Sequence, residues 1–311
     1  MTVTASTATA PAVTLRDAAD AFLASPRRSG ANTQRAYAGV LDRVLEQLGP
    51  GRALAEVADG EVGDVLEKLW GAAAASTFNQ RRAVVGAWLT WCRTRKRWAA
   101  PGVPGDCERR REHAGADRAL PKATIDRTLA RRDVPLREKT LWRMLYETAA
   151  RAAEILALDV TDLDLEHRCA VVRAKGGDLQ EVRWGTGAAR LLPRLLRLPD
   201  GTMRTRGPLF LSHRLPVPAR RPAAKHLCPH TGRPRLGYDR ARILLGRYTG
   251  WRLHDLRHSA ATHLGDKKVP LPVIMAKTRH TSPRVAMRYV HPGAEAVAEA
   301  TALLDPPGRT H

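Results

Sequence analysis

Apolar residues along this chain recur mostly three and four positions apart, the period of a helix with one buried face. Leu15, Ala18, Ala19 and Phe22 share one such face. Tyr37, Val40, Leu41, Val44, Leu45 and Leu48 share a second, which Gly49-Pro50-Gly51 brings to an end. A third helix fits Val62 to Leu69, and a fourth, capped by Ser76 or Thr77, carries Val84, Val85, Trp88, Leu89 and Cys92. The first hundred or so residues therefore predict a compact bundle of about four helices. Residues 1–13 are small and polar and predict a disordered tail. From 99 to 119 the periodicity gives way to Pro, Gly and charge, which predicts a linker between a domain at 14–98 and another at 120–311.

In that second domain Thr140 offers a cap for a helix running through Leu141, Leu145 and Ala149 toward Ile155 and Leu156, with Arg151 and Glu154 on it. Two short β-branched runs in CAVVRAKGGDLQEVRW flank Gly176-Gly177 and predict a hairpin with Lys175 at its turn. Helical LLPRLLRL follows, then a Pro- and Arg-rich loop over 199–236, then a helix from Tyr238 to Tyr248. Val297, Ala300, Leu303 and Leu304 predict a short C-terminal helix. The fold class is mainly α (α+β): an N-terminal helical bundle, then a mostly helical domain with a small antiparallel sheet. There is no internal repeat.

Charge adds what periodicity cannot. Among 311 residues, 52 Lys and Arg face 31 Asp and Glu, a formal +21. Such an excess costs self-repulsion and is not needed for folding, so it points to a polyanionic partner. The basic residues are scattered and not gathered on one amphipathic helix, which disfavours a membrane surface. The fourth helix carries Arg81 and Arg82 near its start and Arg93, Arg95, Lys96 and Arg97 at its end. These suit phosphate backbone contacts, which need charge without fine placement. Trp88 and Trp91 between them share the apolar stripe and belong to the core. Cys92, Cys107, Cys169 and Cys228 lie far apart, as in a reducing interior. The N-terminus has no signal-peptide pattern, and no run reaches the ~20 apolar residues of a membrane span. A soluble cytoplasmic protein is expected.

The candidate chemistry is concentrated between Leu253 and His291, where His254, Arg257, His280 and Tyr289 fall in one short segment. A guanidinium fork fits a pair of phosphate oxygens, and imidazoles donate to an oxyanion or move protons near neutral pH. A phenol beside that anion can attack it and form a covalent intermediate. Together they suit phosphoryl transfer through a tyrosine. A metal is the weaker reading. His254 and His258 form an i,i+4 pair without a third ligand, and Arg257 between them repels a cation. His226, Cys228 and His230 lack a second ligand pair. Among the other tyrosines, Tyr37 and Tyr146 fit helix cores, and Tyr248 is a poor rival nucleophile.

Four segments carry a resemblance: TAARAAEILAL, VRAKGGDLQEVR, LHDLRHSAATHL and RHTSPRVAMRYVH, with a tyrosine nine positions after a histidine. In order and spacing, over nearly the whole chain, they resemble the tyrosine site-specific recombinases, the family of phage integrases, chromosome-dimer resolvases and related transposon enzymes. The resemblance implies that Tyr289 attacks a DNA phosphate, leaving a 3′-phosphotyrosine and a free 5′-hydroxyl, with no metal or nucleotide cofactor. It assigns Arg151 and Arg257 to the non-bridging oxygens and Lys175 to protonation of the leaving oxygen. His254 would assist proton transfer and His280 would bond the phosphate, while Glu154, one turn after Arg151, reads equally as a positioning residue or as a solvent salt-bridge partner. It further implies double-stranded DNA with paired recombination sites as partner, weak self-association in solution, a tetramer on DNA with the C-terminal helix docked on a neighbour, and association with the nucleoid. A catalytically silent DNA-binding protein of this fold and a site-independent type IB topoisomerase-like relaxing enzyme are the alternatives. The sequence departs from the family at Ala150, at Trp184, and at Thr278-Arg279, where leucine-glycine is usual. Arg279 is strained if that backbone needs a positive φ, and could add a phosphate contact.

Overall fold

The computed structural model describes residues 12–26, 30–112, 119–174, 177–215, 217, 219, 221–289 and 301. The disordered tail expected over 1–13 falls almost wholly outside these residues, as do Lys175 and the apolar positions of the expected C-terminal helix. The chain divides into two compact units, Met1–Ala114 and Gly115–His311.

The first unit is built on α1 (Leu15–Leu23), α2 (Ala31–Leu48), α3 (Asp59–Trp70) and α4 (Ala75–Trp91). α1 begins where the Thr14 hydroxyl accepts from the Asp17 N–H at 3.1 Å. α2 stops at Gly49, whose φ of 89° is easy only for glycine. α4 starts one turn-step earlier than its hydroxyl residues suggest. Ala74 is its N-cap and no side chain caps it, so neither Ser76 nor Thr77 has that part. Its end passes into a π-helical stretch, Cys92–Lys96, closed by Arg97 in the left-handed region at φ 59°. Phe22 sits at the centre of the bundle, stacked on Tyr37 at 6.2 Å and edge-on to Trp91 at 5.6 Å.

Much of the stretch read as a linker belongs to this unit. The Asn79 amide donates to the Arg110 carbonyl at 2.8 Å, and the Gly102 N–H donates to Asp59 at 2.7 Å. Arg110 lies over the Phe78 ring at 3.8 Å and pairs with Glu67 at 2.7 Å. Side-chain partners substitute here for helical periodicity, which is why the pattern of apolar residues does not reveal it.

The second unit packs α6 (Leu136–Thr148) and α7 (Ala152–Ala157) against a three-stranded antiparallel sheet, with α5 (Lys122–Ala130) lying on α6. Its strands are β1 (Leu163–Asp164), β2 (Cys169–Arg173) and β3 (Leu179–Arg183). Ala170 opposes Val182, and with Val172 these form the buried face. Then come α8 (Thr186–Leu196), α9 (Tyr238–Thr249), α10 (Leu253–Asp266), α11 (Leu271–Thr278) and α12 (Pro283–Ala286), followed by a 3-10 turn over Met287–Tyr289. Within 199–236, expected to be loop, short extended pieces pair: Leu211 with Arg235 and Leu227 with Pro234. No described helix is long and apolar enough to cross a membrane.

The helix expected from Thr140 to Leu156 is in fact two. α6 starts at Leu136, and the Thr140 hydroxyl, inside it, donates to the Leu136 carbonyl at 2.7 Å. It ends at Ala149, which turns left-handed at φ 50°. Thr148 supports the break, its hydroxyl donating to the Met144 carbonyl and accepting from the Ala150 N–H. α7 restarts at Ala152, with Arg151 as its N-cap.

Phe22→Ala removes the ring on which Tyr37 and Trp91 converge. A loss of roughly 3–5 kcal/mol is expected, read as a lower urea midpoint for unfolding of the first unit with the second unit unaffected.

Candidate active site

α10 is held by Leu253, Leu256 and Ala261, all buried, and this fixes the helix so that Arg257 points inward. Arg257 is only 1% exposed. Its Nη1 donates to the Ala149 carbonyl at 2.6 Å and its Nη2 to the Thr278 carbonyl at 2.6 Å. Nη2 also lies 3.0 Å from His280 Nε2, while Nε has no hydrogen-bond partner. The two carbonyls come from residues at helix C-termini, where backbone oxygens lack intrahelical partners. Burial lowers the guanidinium pKa to about 10, assisted by the charges of Arg151 and Arg279. It remains a cation at neutral pH, and among the described residues no carboxylate lies within ion-pair distance of it.

Arg151 stands at the start of α7 with its side chain 40% exposed. Glu154 organises it. One carboxylate oxygen accepts from the Arg151 backbone N–H at 2.9 Å, and the other accepts from the Arg151 guanidinium at 2.9 Å. Arg279 completes the group, its Nη2 lying 2.6 Å from Glu154 with both side chains almost fully buried. Burial pushes the Glu154 carboxyl up, but the Arg151 N–H, the Arg151 guanidinium and Arg279 together hold it below the ordinary value. The phosphate contact expected of Arg279 is not open to it in this arrangement, because its guanidinium faces inward to Glu154. Its backbone is left-handed, φ 57° and ψ 41°, the conformation that favours glycine.

His280 follows this turn, its N–H donating to the Met275 carbonyl at 3.1 Å. Its ring is bonded at both nitrogens. Nε2 faces Arg257, which can only donate, so Nε2 carries a lone pair there. Nδ1 lies 2.9 Å from the Thr278 hydroxyl, whose own proton goes to the Ile274 carbonyl at 2.7 Å. The assigned tautomer is therefore Nδ1–H. Burial, then Arg257 and Arg151, lower the His280 pKa to about 4, which keeps the ring neutral.

Tyr289 is 5% exposed and stacks on His280, ring centroids 5.7 Å apart and planes 18° from parallel. The His258 ring meets it edge-on at 5.3 Å. Burial raises the Tyr289 pKa above its ordinary value, although Arg257 and Arg288 pull the other way. A protonated phenol at neutral pH needs a base to attack. His254, in the first turn of α10 and one turn before His258, is held below the usual histidine value by lost hydration and by Arg257.

Of the residues singled out in the sequence, Arg151, Glu154, Arg257, His280, Arg279 and Tyr289 are brought together, with His254 on the same helix as Arg257. Lys175 lies outside the described residues. Tyr248 is elsewhere, edge-on to Trp142. Tyr146 bonds His263 at 2.8 Å. In the first unit Arg93, Arg95, Lys96 and Arg97 are exposed, with Lys96 Nζ about 5.5 Å from both the Trp91 and Trp98 rings. Arg82 is instead half-buried and spends its Nε on the Cys107 carbonyl. Among the described residues, no group of three or more His, Cys, Asp or Glu could hold a metal ion. Sequence reasoning missed Thr278 as the support of His280, and His258 as a neighbour of Tyr289. The second was signalled, since His254 and His258 lie one turn apart.

The sequence model of the phage integrase family matches residues 120–295. The chain is 30% identical to the tyrosine recombinase XerC of Mycobacterium leprae over 84% of its own length and 88% of the relative's. It is 29% identical to XerD of the same organism, over 92% and 94%. In fold it is similar to the Tn1549 transposon integrase solved with a circular intermediate DNA, with a TM-score of 0.72 over 94% of this chain and all of that one, at 13% identity. A lambda integrase dimer bound to a core site gives a TM-score of 0.66 over 90% and 78%, also at 13% identity. With its phosphate-suited arginines and buried tyrosine carried on this fold, the chain belongs to the phage integrase family, the tyrosine recombinases.

Proposed function

We propose that this protein is a site-specific DNA recombinase that cuts and rejoins strands through a 3′-phosphotyrosine intermediate. The observation that carries this reading is Arg257. A cation 1% exposed, with no carboxylate beside it among the described residues and one N–H without a partner, is costly to hold unless it meets an anion. The phenol of Tyr289 lies one imidazole away.

In the reaction, a scissile phosphate sits between Arg257 and Arg151, whose fixed donors stabilise the charge of the pentavalent transition state without reorganising. The Tyr289 oxygen forms a bond to phosphorus as the bond to the 5′ oxygen breaks. The phenolic proton leaves through His254, and Lys175 gives a proton to the 5′ oxygen. The phosphodiester energy is kept in the tyrosyl ester, so a 5′-hydroxyl can reverse the step with no nucleotide consumed. His280 has a defined part. Its Nε2 accepts from Arg257 in the free protein, and an anion arriving beside Arg257 favours protonation of that nitrogen, turning it into a donor.

The remaining assignments follow the same reading. Residues 14–98 form a DNA-binding domain using Arg81, Arg93, Arg95, Lys96 and Arg97, and residues 120–311 form the catalytic domain. Two paired sites are joined within a tetramer assembled on double-stranded DNA, in the cytoplasm and on the nucleoid. Neither a silent DNA-binding protein nor an unspecific relaxing enzyme is favoured. The first has no use for a buried cation beside a tyrosine, and the relatives described above are tyrosine recombinases.

Tyr289→Phe should abolish covalent capture on nicked duplexes prepared from the genome that encodes the protein, while duplex binding in a gel-shift persists. Capture at the wild-type level would reject Tyr289 as nucleophile. Arg257→Lys keeps a charge but loses the fork, and should slow capture by about 10²-fold or more. In the DNA-free protein the His280 C–H resonances should titrate near 4. Between the ordinary histidine value of about 6.5 and that midpoint the unfolded chain binds the proton first, so stability should fall as pH drops through this window. Duplex binding should move the midpoint upward, and an unchanged midpoint would remove His280 from the phosphate.

A further inference from the structure

We propose that Arg279 is a positioning residue for Arg151, acting through Glu154, and so replaces by an ion pair the freedom a glycine would give this turn. The inference rests on the reading of Arg151 as a phosphate clamp.

Two observations bear on it. An arginine in the left-handed region is conformationally unfavourable, and this one is held there at φ 57°. Its side chain is 6% exposed and its guanidinium makes a 2.6 Å bond to a carboxylate that is itself buried. Its Nε has no hydrogen-bond partner, so the bond from Nη2 to Glu154 is the main anchor of the buried guanidinium, and a strained backbone persists only where such surroundings determine it. The partner is informative. Glu154 uses one oxygen for the Arg151 guanidinium, and shares the other between the Arg151 N–H and Arg279. Arg279 thus ties the turn carrying His280 to the helix start carrying Arg151.

The charge balance gives the link its chemical consequence. With glycine at 279, the Glu154 carboxylate would face Arg151 alone and neutralise it. With arginine there, Glu154 is neutralised from the other side, and the Arg151 guanidinium, 40% exposed, keeps a net charge for a phosphate. Its orientation is also fixed, because Glu154 holds both its backbone and its fork. Arg279 itself does not touch the reacting atoms in this arrangement.

The test uses the full chain and the nicked duplex that wild-type protein captures from genomic fragments. Arg279→Gly should lower the maximal rate of covalent capture by about 10²-fold, as misplaced reactants do. Duplex affinity, set by many backbone contacts, should change far less. Any fall in the thermal midpoint from losing the buried ion pair with Glu154 should be offset in part by the turn, which glycine suits. Arg279→Asn, which also tolerates a left-handed backbone, should behave alike, and Arg279→Lys should recover part of the rate. If Arg279 acts through Glu154, the losses of Arg279→Gly and Glu154→Gln should not multiply in the double variant. A wild-type rate for Arg279→Gly beside an inactive Arg151→Ala would overturn the proposal and leave the clamp intact. So would fully multiplying losses. An active Arg151→Ala would instead overturn the clamp itself.

Discussion

A guanidinium taken out of water and left without a carboxylate is the constraint around which the second unit is arranged. Several kcal/mol per buried ion is a usual cost in proteins, and Arg257 offsets it through two backbone carbonyls and one imidazole. Those acceptors exist because two helices stop where they do. α6 ends in a left-handed Ala149, and α11 ends in a left-handed Arg279. Either helix continued for another turn would draw the carbonyls of Ala149 and Thr278 into its own hydrogen bonds. The breaks and the buried cation therefore depend on one another, and each anchors a different piece of chain against α10.

This arrangement also divides the neighbouring charges into kinds. Arg279 is neutralised by Glu154, Arg151 is oriented by it, and Arg257 is left positive. Burial, and after it the field of these cations, keeps His280 neutral and holds His254 below its ordinary value, while burial keeps the Tyr289 phenol protonated. The free protein thus holds the Tyr289 phenol uncharged and the two imidazoles unprotonated at neutral pH. A phosphate anion alters each of those terms at once, since it weakens the repulsion felt by the imidazoles. In the proposed reaction, chemistry is thereby coupled to arrival of the substrate through electrostatics.

How much of this was legible beforehand differs by level. The faces of α1 and α2 follow directly from Leu15, Ala18, Ala19 and Phe22 and from Val40, Leu41, Val44 and Leu45, because a long amphipathic helix writes its period into the chain. The hairpin strands follow from their β-branched runs. The division between α6 and α7 was not legible, since Ala149 and Ala150 are good helix formers and the break is held by local bonds of the Thr148 hydroxyl and by a tertiary bond from Arg257. The same is true of residues 99–112, whose attachment depends on Asn79, Asp59 and Glu67, remote in sequence. In the site, residue types and spacing were enough to pick out Arg257, His280 and Tyr289. The inward turn of Arg279 was not, because the direction of a long side chain is decided by which buried carboxylate lies within reach.

In the proposed reaction the phosphate brought to Arg257 is attacked by the tyrosine stacked on His280. Mass spectrometry of the peptide left attached to a captured DNA strand tests it most directly. A single modified peptide is expected, carrying a 3′-linked nucleotide on Tyr289. A nucleotide on Tyr248 or any other residue, or a linkage through the 5′ phosphate, would contradict it.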